Sequence, residues 1–261
     1  MLFSSFGLII IDPQEEWMEK ILSPIILAAM FSFSLAFGQG WEQDIIPTSE
    51  GPLKITFIGH ATLMMEWDKL VIHIDPVGQF ADYRQLPRAD LILVTHDHGD
   101  HFDPKVISLL SHEKTVIILT SKCAAKYAGA RVMANGDKTT INGIGVEAVP
   151  AYNIVHMRSQ GVPYHPCGEG NGYVLIFGDK KIYIAGDTEN IPEMKNLGPI
   201  DVAFLPMNLP YTMTPEMVAD AARTIKPKIL YPYHYGQTNP QELIELLREE
   251  KEIEVRIRNL R

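Results

Sequence analysis

Short apolar runs separated by turn residues set out the chain from Leu53 onward. Leu53–Ile58, Thr62–Trp67, Val71–Ile74 and Leu91–Thr95 read as strands. Asp103-Pro104 then opens a helix to about His112, with Asp as N-cap and Pro at the first helical position. Thr115–Thr120 reads as a buried strand, Ser121–Tyr127 as a short helix and Gly143–Val149 as another strand. Asn171–Phe177 and Lys181–Ala185 flank the turn Gly178-Asp179-Lys180 and predict a hairpin. Val202–Leu205 and Ile229–Tyr231 read as strands, with helices over Pro215–Ile225 (Thr214 as N-cap) and Gln241–Glu250. Strands dominate first, then helices and strands alternate. These lengths suit two sheets packed face to face with helices outside, each half giving one sheet and loops from both meeting at one edge. Periodicity alone does not separate this from a single open α/β sheet.

The N-terminus differs. Ile21 to Phe37 carries no charge, and Ala36 and Gly38 form an A-x-G cleavage pattern, as in a secretory signal. A start at Met18, giving Met-Glu-Lys20 before the apolar run, fits a signal better than a start at Met1, which places Asp12, Glu15, Glu16 and Glu19 ahead of it. Residues 1–38 are therefore expected to be a signal peptide or an uncleaved membrane anchor, and the protein to be exported, periplasmic or extracellular. Any membrane association would run through this segment alone. Residues 51–261 are expected to form one catalytic domain. The full chain has 23 Lys and Arg against 32 Asp and Glu, a net charge of −9. Such a surface repels phosphate backbones, so nucleic acid is not an expected partner. Cys123 and Cys167 are too few for a disulfide framework and are compatible with one bridge or two thiols.

The chemistry concentrates in His96-Asp97-His98-Gly99-Asp100-His101, directly after an apolar strand. Imidazole and carboxylate are the ligands of a catalytic Zn²⁺-like ion, and so many polar groups in one place would be costly in a core. Side chains two apart on an extended segment point the same way, so His96 and His98 can grip one ion. Gly99 permits a turn after which Asp100 and His101 face a second, and Asp97 points elsewhere, to orient a His ring or a lid. Asp187, in Gly186-Asp187-Thr188, ends a strand and reads as a bridging ligand or a turn cap. His234, in Tyr233-His234-Tyr235-Gly236, and His165, before the Gly172–Phe177 strand, supply further imidazoles.

These ordered elements resemble the metal motifs of the metallo-β-lactamase superfamily. Ile58-Gly59-His60-Ala61-Thr62, Ile74-Asp75-Pro76, Tyr183 to Thr188 and Pro232 to Gly236 resemble its ascorbate-6-phosphate-lactonase-like branch of metal-dependent hydrolases, with the phospholipase D that releases N-acylethanolamines a more distant relative. The resemblance covers Leu53 to the C-terminus and implies a four-layer αββα sandwich, the metallo-β-lactamase fold. It implies one ion on His96, His98 and His165 and a second on Asp100, His101 and His234, with Asp187 bridging. His165 is preferred to His156 because a Pro/Gly turn joins it to the strand. Zn²⁺ is the first expectation for both ions, with Mn²⁺ or Fe²⁺ compatible.

The implied reaction is hydrolysis of a small ester, lactone or phosphodiester by a metal-bound hydroxide, with Asp100, Asp187 and His234 as the catalytic set. The partner is then a small-molecule substrate. His60 resembles a pocket-lining His of the branch and also suits a plain turn. Asp75 reads as a supporting group, and His73 as a core imidazole. The long polar segment 153–169 and Pro206–Met213 read as binding loops, with His60, Asn153 and Tyr211 expected to meet substrate. Relatives often carry a Lys where Cys167 stands and a Gly pair near Asn208, so a phosphorylated-sugar substrate does not carry over. The alternatives are a mono-iron oxygenase of a sulfur substrate, which the second ligand set argues against, and a non-catalytic extracytoplasmic metal-binding module.

Overall fold

The computed structural model describes residues 40–260. The signal or anchor expectation for residues 1–38, and the start at Met18, lie outside the described residues. Among those described, no helix is long and apolar enough to cross a membrane.

The first sheet takes its strands in chain order: β1 (Gln43–Thr48), β2 (Gly51–Gly59), β3 (Thr62–Trp67), β4 (Leu70–Ile74), β5 (Leu91–Leu93), β6 (Val116–Leu119) and β7 (Arg131–Val132). β1 to β4 form an antiparallel meander, and β4 to β7 pair in parallel. Next come β8 (Lys138–Ile141), β9 (Ile144–Ala151) and a separate hairpin, β10 (Met157–Ser159) with β11 (Val162–Pro163). β12 (Gly170–Phe177), β13 (Lys180–Ile184), β14 (Val202–Pro206), β15 (Ile229–Tyr233) and β16 (Glu254–Val255) complete the second sheet, ordered β16-β15-β14-β13-β12-β9-β8. It repeats the plan of the first: antiparallel through β13, parallel from β13 to β16.

Period-two alternation explains the layering. Leu53, Ile55 and Phe57 of β2, Leu63 and Met65 of β3, and Ile72 and Ile74 of β4 enter a core shared with Tyr173, Leu175, Phe204 and Tyr231 of the second sheet. The alternate residues Ile58, Met64, Ile92 and Val94 enter a smaller cluster with Val106, Ile107 and Leu110 of α1 (Pro104–Leu110) and Cys123 of α2 (Ser121–Ala124). Helix α3 (Pro215–Ile225) brings Val218, Ala219, Ala222 and Ile225 into the core of the second sheet and packs against α4 (Gln241–Leu246). This is the expected four-layer αββα sandwich.

Helix starts follow the capping residues. Asp103 accepts from the N–H groups of Lys105 and Val106, and Thr214 from that of Met217. Helix ends fall short of expectation: α1 stops when Ser111 turns extended and returns its hydroxyl to the Ile107 carbonyl. β1 lies ahead of the expected domain start. It is held by pairing to β2 and by Asp44, which takes two 2.7 Å hydrogen bonds from Arg258 near the C-terminus. Residues from Trp41 onward form one compact unit. Cys123 and Cys167 are unpaired thiols, the first buried and the second exposed.

Candidate metal centre

Parallel strands end at the edge where the polar side chains gather. β5 leads into His96, β13 into Asp187, and β15 into His234, so the three reach one place from three strand ends. Gly186 makes the turn before Asp187: its φ is +65°, and a Cβ there would lie 2.8 Å from the Asn171 carbonyl oxygen. Gly99 differs from expectation. Its φ is not left-handed and a Cβ would meet nothing within 4 Å, so the HxHxDH turn does not depend on glycine.

Asp187 is the hub. Its carboxylate oxygens lie 3.2 Å from His165 Nε2, 3.4 Å from His234 Nε2, 3.5 Å from His101 Nε2 and 3.8 Å from His96 Nε2. Two sets of potential ligand atoms surround it, each mutually within 4.8 Å: His96, His98, His165 and Asp187, and His60, Asp100, His101 and His234. The expected ligands therefore converge, sorted into the expected groups. His60, expected to meet substrate, joins the second: its Nε2 lies 3.1 Å from Asp100 Oδ2, which is 3.6 Å from His234 Nε2.

Several of these atoms are buried without a hydrogen bond: Nε2 of His96, His101, His165 and His234, and Oδ1 of Asp187. Buried acceptors and imidazole nitrogens are costly when left alone, and divalent cations satisfy this donor set. The residues fit the metals that the resemblance implies.

Electrostatics follow the crowding. Burial pushes the His96 imidazole well below its usual range, and neighbouring His101 adds to this. Burial alone would raise the Asp187 carboxyl, but His234 and His101 draw it well below the carboxylate range. Asp100 is likewise lowered against its burial, through His234 and His60. His101 moves the other way, to about 9: burial opposes its charge, but Asp187 and Asp75 outweigh that. A cation that takes this ring must displace its proton.

Supporting groups fix the rings. Asp75 is fully buried, accepts from the Thr95 N–H at 2.7 Å and hydroxyl at 2.6 Å, and takes His101 Nδ1–H at 2.8 Å, which leaves His101 Nε2 facing the centre. Asp75, His60 and His234 all have left-handed backbones, with φ of 45°, 56° and 49°, and the His234 N–H donates to the His60 carbonyl across the two sheets at 3.1 Å. Asp97, read as orienting a ring or a lid, instead pairs with Lys126 at 2.7 Å.

Asn153 requires a correction. Expected to bind substrate, it is only 5 % exposed, and its whole amide is committed within the protein. Its Oδ1 accepts from the His165 N–H and Nδ1–H, and its Nδ2 donates to Glu189 and to the Tyr211 carbonyl. Sequence reasoning missed Glu189. Its buried carboxylate accepts from the N–H groups of Ile154, Val155 and His156 and from His156 Nδ1, at 2.7 to 2.8 Å. That contact also removes His156 from the centre in favour of His165. An acidic residue two places after a ligand carries no signal of such a role. Tyr211, by contrast, stands 44 % exposed at the mouth of a cleft of about 480 Å³, its ring edge against Tyr164. That volume suits a small ligand.

Known proteins resemble the chain over the region that carries these residues. The family model for a beta-lactamase superfamily domain matches residues 54–234. A UPF0173 metal-dependent hydrolase of Thermococcus kodakarensis is 35% identical over 200 residues, covering 72% of this chain and 87% of that protein. The crystal structure of a Parabacteroides distasonis protein proposed to be a metal-dependent hydrolase superposes with a TM-score of 0.81 at 48% identity, covering 85% of this chain and all of that one. Igni18, a metallo hydrolase of Ignicoccus hospitalis, shares the fold at 23% identity and a TM-score of 0.65, over 80% of this chain and 95% of that one.

Proposed function

The chain belongs to the beta-lactamase superfamily, among its UPF0173 metal-dependent hydrolases, and on that premise we propose that it holds two zinc ions and hydrolyses a small ester, lactone or phosphodiester. The observation that carries the proposal is the central Asp187, whose carboxylate faces imidazoles of both ligand groups at 3.2 to 3.8 Å. A single ion would leave His101 and His234 without a purpose, which disfavours the mono-iron reading.

His96, His98 and His165 would hold one ion and Asp100, His101 and His234 the other, with Asp187 shared and His60 the fourth member of the second group. When bound, such a pair supplies an ionised water at neutral pH and positive charge for the developing oxyanion. In the hydrolysis, the oxygen of water bonds to the carbonyl carbon or phosphorus, the bond to the leaving oxygen breaks, and that oxygen takes a proton. Asp100 is the half-exposed carboxylate of the centre, held between His60 and His234. From there it can accept a hydrogen bond from the attacking water and orient it. The cleft above it admits a small substrate. We further propose export directed by residues 1–38, which N-terminal sequencing of the secreted protein would check.

The test is a panel of esters, lactones and phosphodiesters offered to zinc-loaded protein, with and without chelator, beside a metal count. Chelator-sensitive turnover and two equivalents of zinc are expected. One equivalent overturns the binuclear reading, and absence of any chelator-sensitive hydrolysis favours a binding module.

A further inference from the structure

The loop between β9 and β12 folds back as the β10–β11 hairpin and carries Arg158 to the cleft. Its Nη2 comes within 3.5 Å of His98 Nε2, and its guanidinium carbon lies 5.8 Å from the centre of the Tyr164 ring. A guanidinium only donates and never loses its charge. The partner it faces is an imidazole of the first ligand group. Among the described residues the contacts of the Arg158 guanidinium are with His98 and Tyr164 and with no carboxylate, and it is the sole Lys or Arg lining this cleft.

This placement has a cost that the substrate can remove. Once His98 serves a cation, as the proposed function requires, the guanidinium stands near positive charge, which is unfavourable even where water reaches it. An anion lying alongside relieves it. The Tyr164 ring lies beside the guanidinium, its centre 5.8 Å from the guanidinium carbon, and favours the charge on this side of the cleft. A planar fork with no second cation beside it matches one planar monoanion, a carboxylate, bound through two parallel hydrogen bonds. A phosphate dianion calls for a second basic side chain, and Arg158 is the sole Lys or Arg lining this cleft.

Resting on the hydrolase reading above, we infer that Arg158 is a specificity-determining residue and that the substrate is a small ester or lactone bearing a free carboxylate next to the scissile group. Arg158 sits on an exposed hairpin and supports no core residue, so replacing it leaves the fold intact.

The test compares γ-butyrolactone with the same ring carrying a carboxylate at its γ carbon, and a third ring carrying a phosphate monoester there, on zinc-loaded protein. Wild type should prefer the carboxylated ring. R158Q should lower kcat/KM on that ring by about 30- to 100-fold relative to its effect on the neutral ring, with R158K intermediate. Calorimetry supplies a readout free of turnover: succinate should bind wild type at least about tenfold more tightly than butyrate, and R158Q should erase that preference. Equal use of neutral and carboxylated rings, with R158Q indifferent, overturns the subsite and leaves the hydrolase reading standing. Preference for the phosphorylated ring overturns the carboxylate assignment. If no ring is cleaved, the hydrolase reading loses its lactone arm, and the succinate-to-butyrate ratio in the two proteins still decides the subsite.

Discussion

Asn153 and His165 are joined twice: one amide oxygen accepts both the backbone N–H and the ring Nδ1–H of His165, each at 2.8 Å. The double bond fixes both the ring angle and the tautomer, so that Nε2 points at Asp187. N153A should therefore weaken one of the two ions by about 10- to 100-fold while leaving the other near its wild-type affinity. Titration against a chromophoric chelator reads both. Equal weakening of the two would show that Asn153 acts on the whole fold and not on His165.

Glu189 anchors the first turn of the same loop through three backbone N–H groups and His156. E189A strands those donors and should cost about 2 to 4 kcal/mol. Hydrogen exchange should quicken at residues 153–156 before it quickens in β12. Unchanged protection there would refute the anchoring role.

Two glycines near the centre should respond oppositely to alanine. At Gly186 a Cβ meets the Asn171 oxygen at 2.8 Å in a left-handed backbone, so G186A should lose more than about 2 kcal/mol and displace Asp187. At Gly99 a Cβ meets nothing within 4 Å, so G99A should fall within about 0.5 kcal/mol of wild type. Thermal melts of the two proteins, with metal counts, check both.

His73 lies fully buried in β4, its Nε2 on the Pro87 carbonyl at 3.1 Å, and burial holds its pKa at about 4 despite that bond. The unfolded chain takes a proton at the ordinary pKa near 6.5, so between 6.5 and about 4 it binds more protons than the folded one. Stability from this residue is thus intact above that window and lost as pH falls through it, by about 3 kcal/mol in all. H73Q keeps a donor without the titration. The urea-measured gap between H73Q and wild type should shift toward the variant by that amount from pH 7 to pH 4, and a constant gap would refute it.

Removing the hub should separate chemistry from fold. D187A should fall to the rate of chelated wild type and bind fewer ions, while its far-UV dichroism stays native. Chelation of wild type should lower its Tm, since each ion held at about a thousand times its Kd adds about 4 kcal/mol. A D187A protein with full rate would end the shared-carboxylate assignment.

Legibility in the sequence tracked locality. His96, His98, Asp100 and His101 stand within six residues, so their joint purpose is visible before any folding. The central strands were legible because both faces are buried and the apolar runs are unbroken. β7, β11 and β16 span two residues each, and β1 and β8 are edge strands with exposed positions, so none leaves a hydrophobic signature. The turn that ties His165 to its strand is a local feature, and the structure brings His165 beside Asp187 while His156 pairs with Glu189. The sequence did not show that Asn153 serves His165, because that depends on Glu189 arriving from 36 residues away to hold the other end of the amide. Contacts made only by tertiary folding leave no local trace.

The candidate ligands divide between the halves: His60, His96, His98, Asp100 and His101 flank strands of the first sheet, and His165, Asp187 and His234 those of the second. A nascent chain cannot assemble either set until Asp187 has been made, and the second awaits His234. Ion capture by the proposed centre therefore requires both sheets together, so a loaded protein would certify that they have docked.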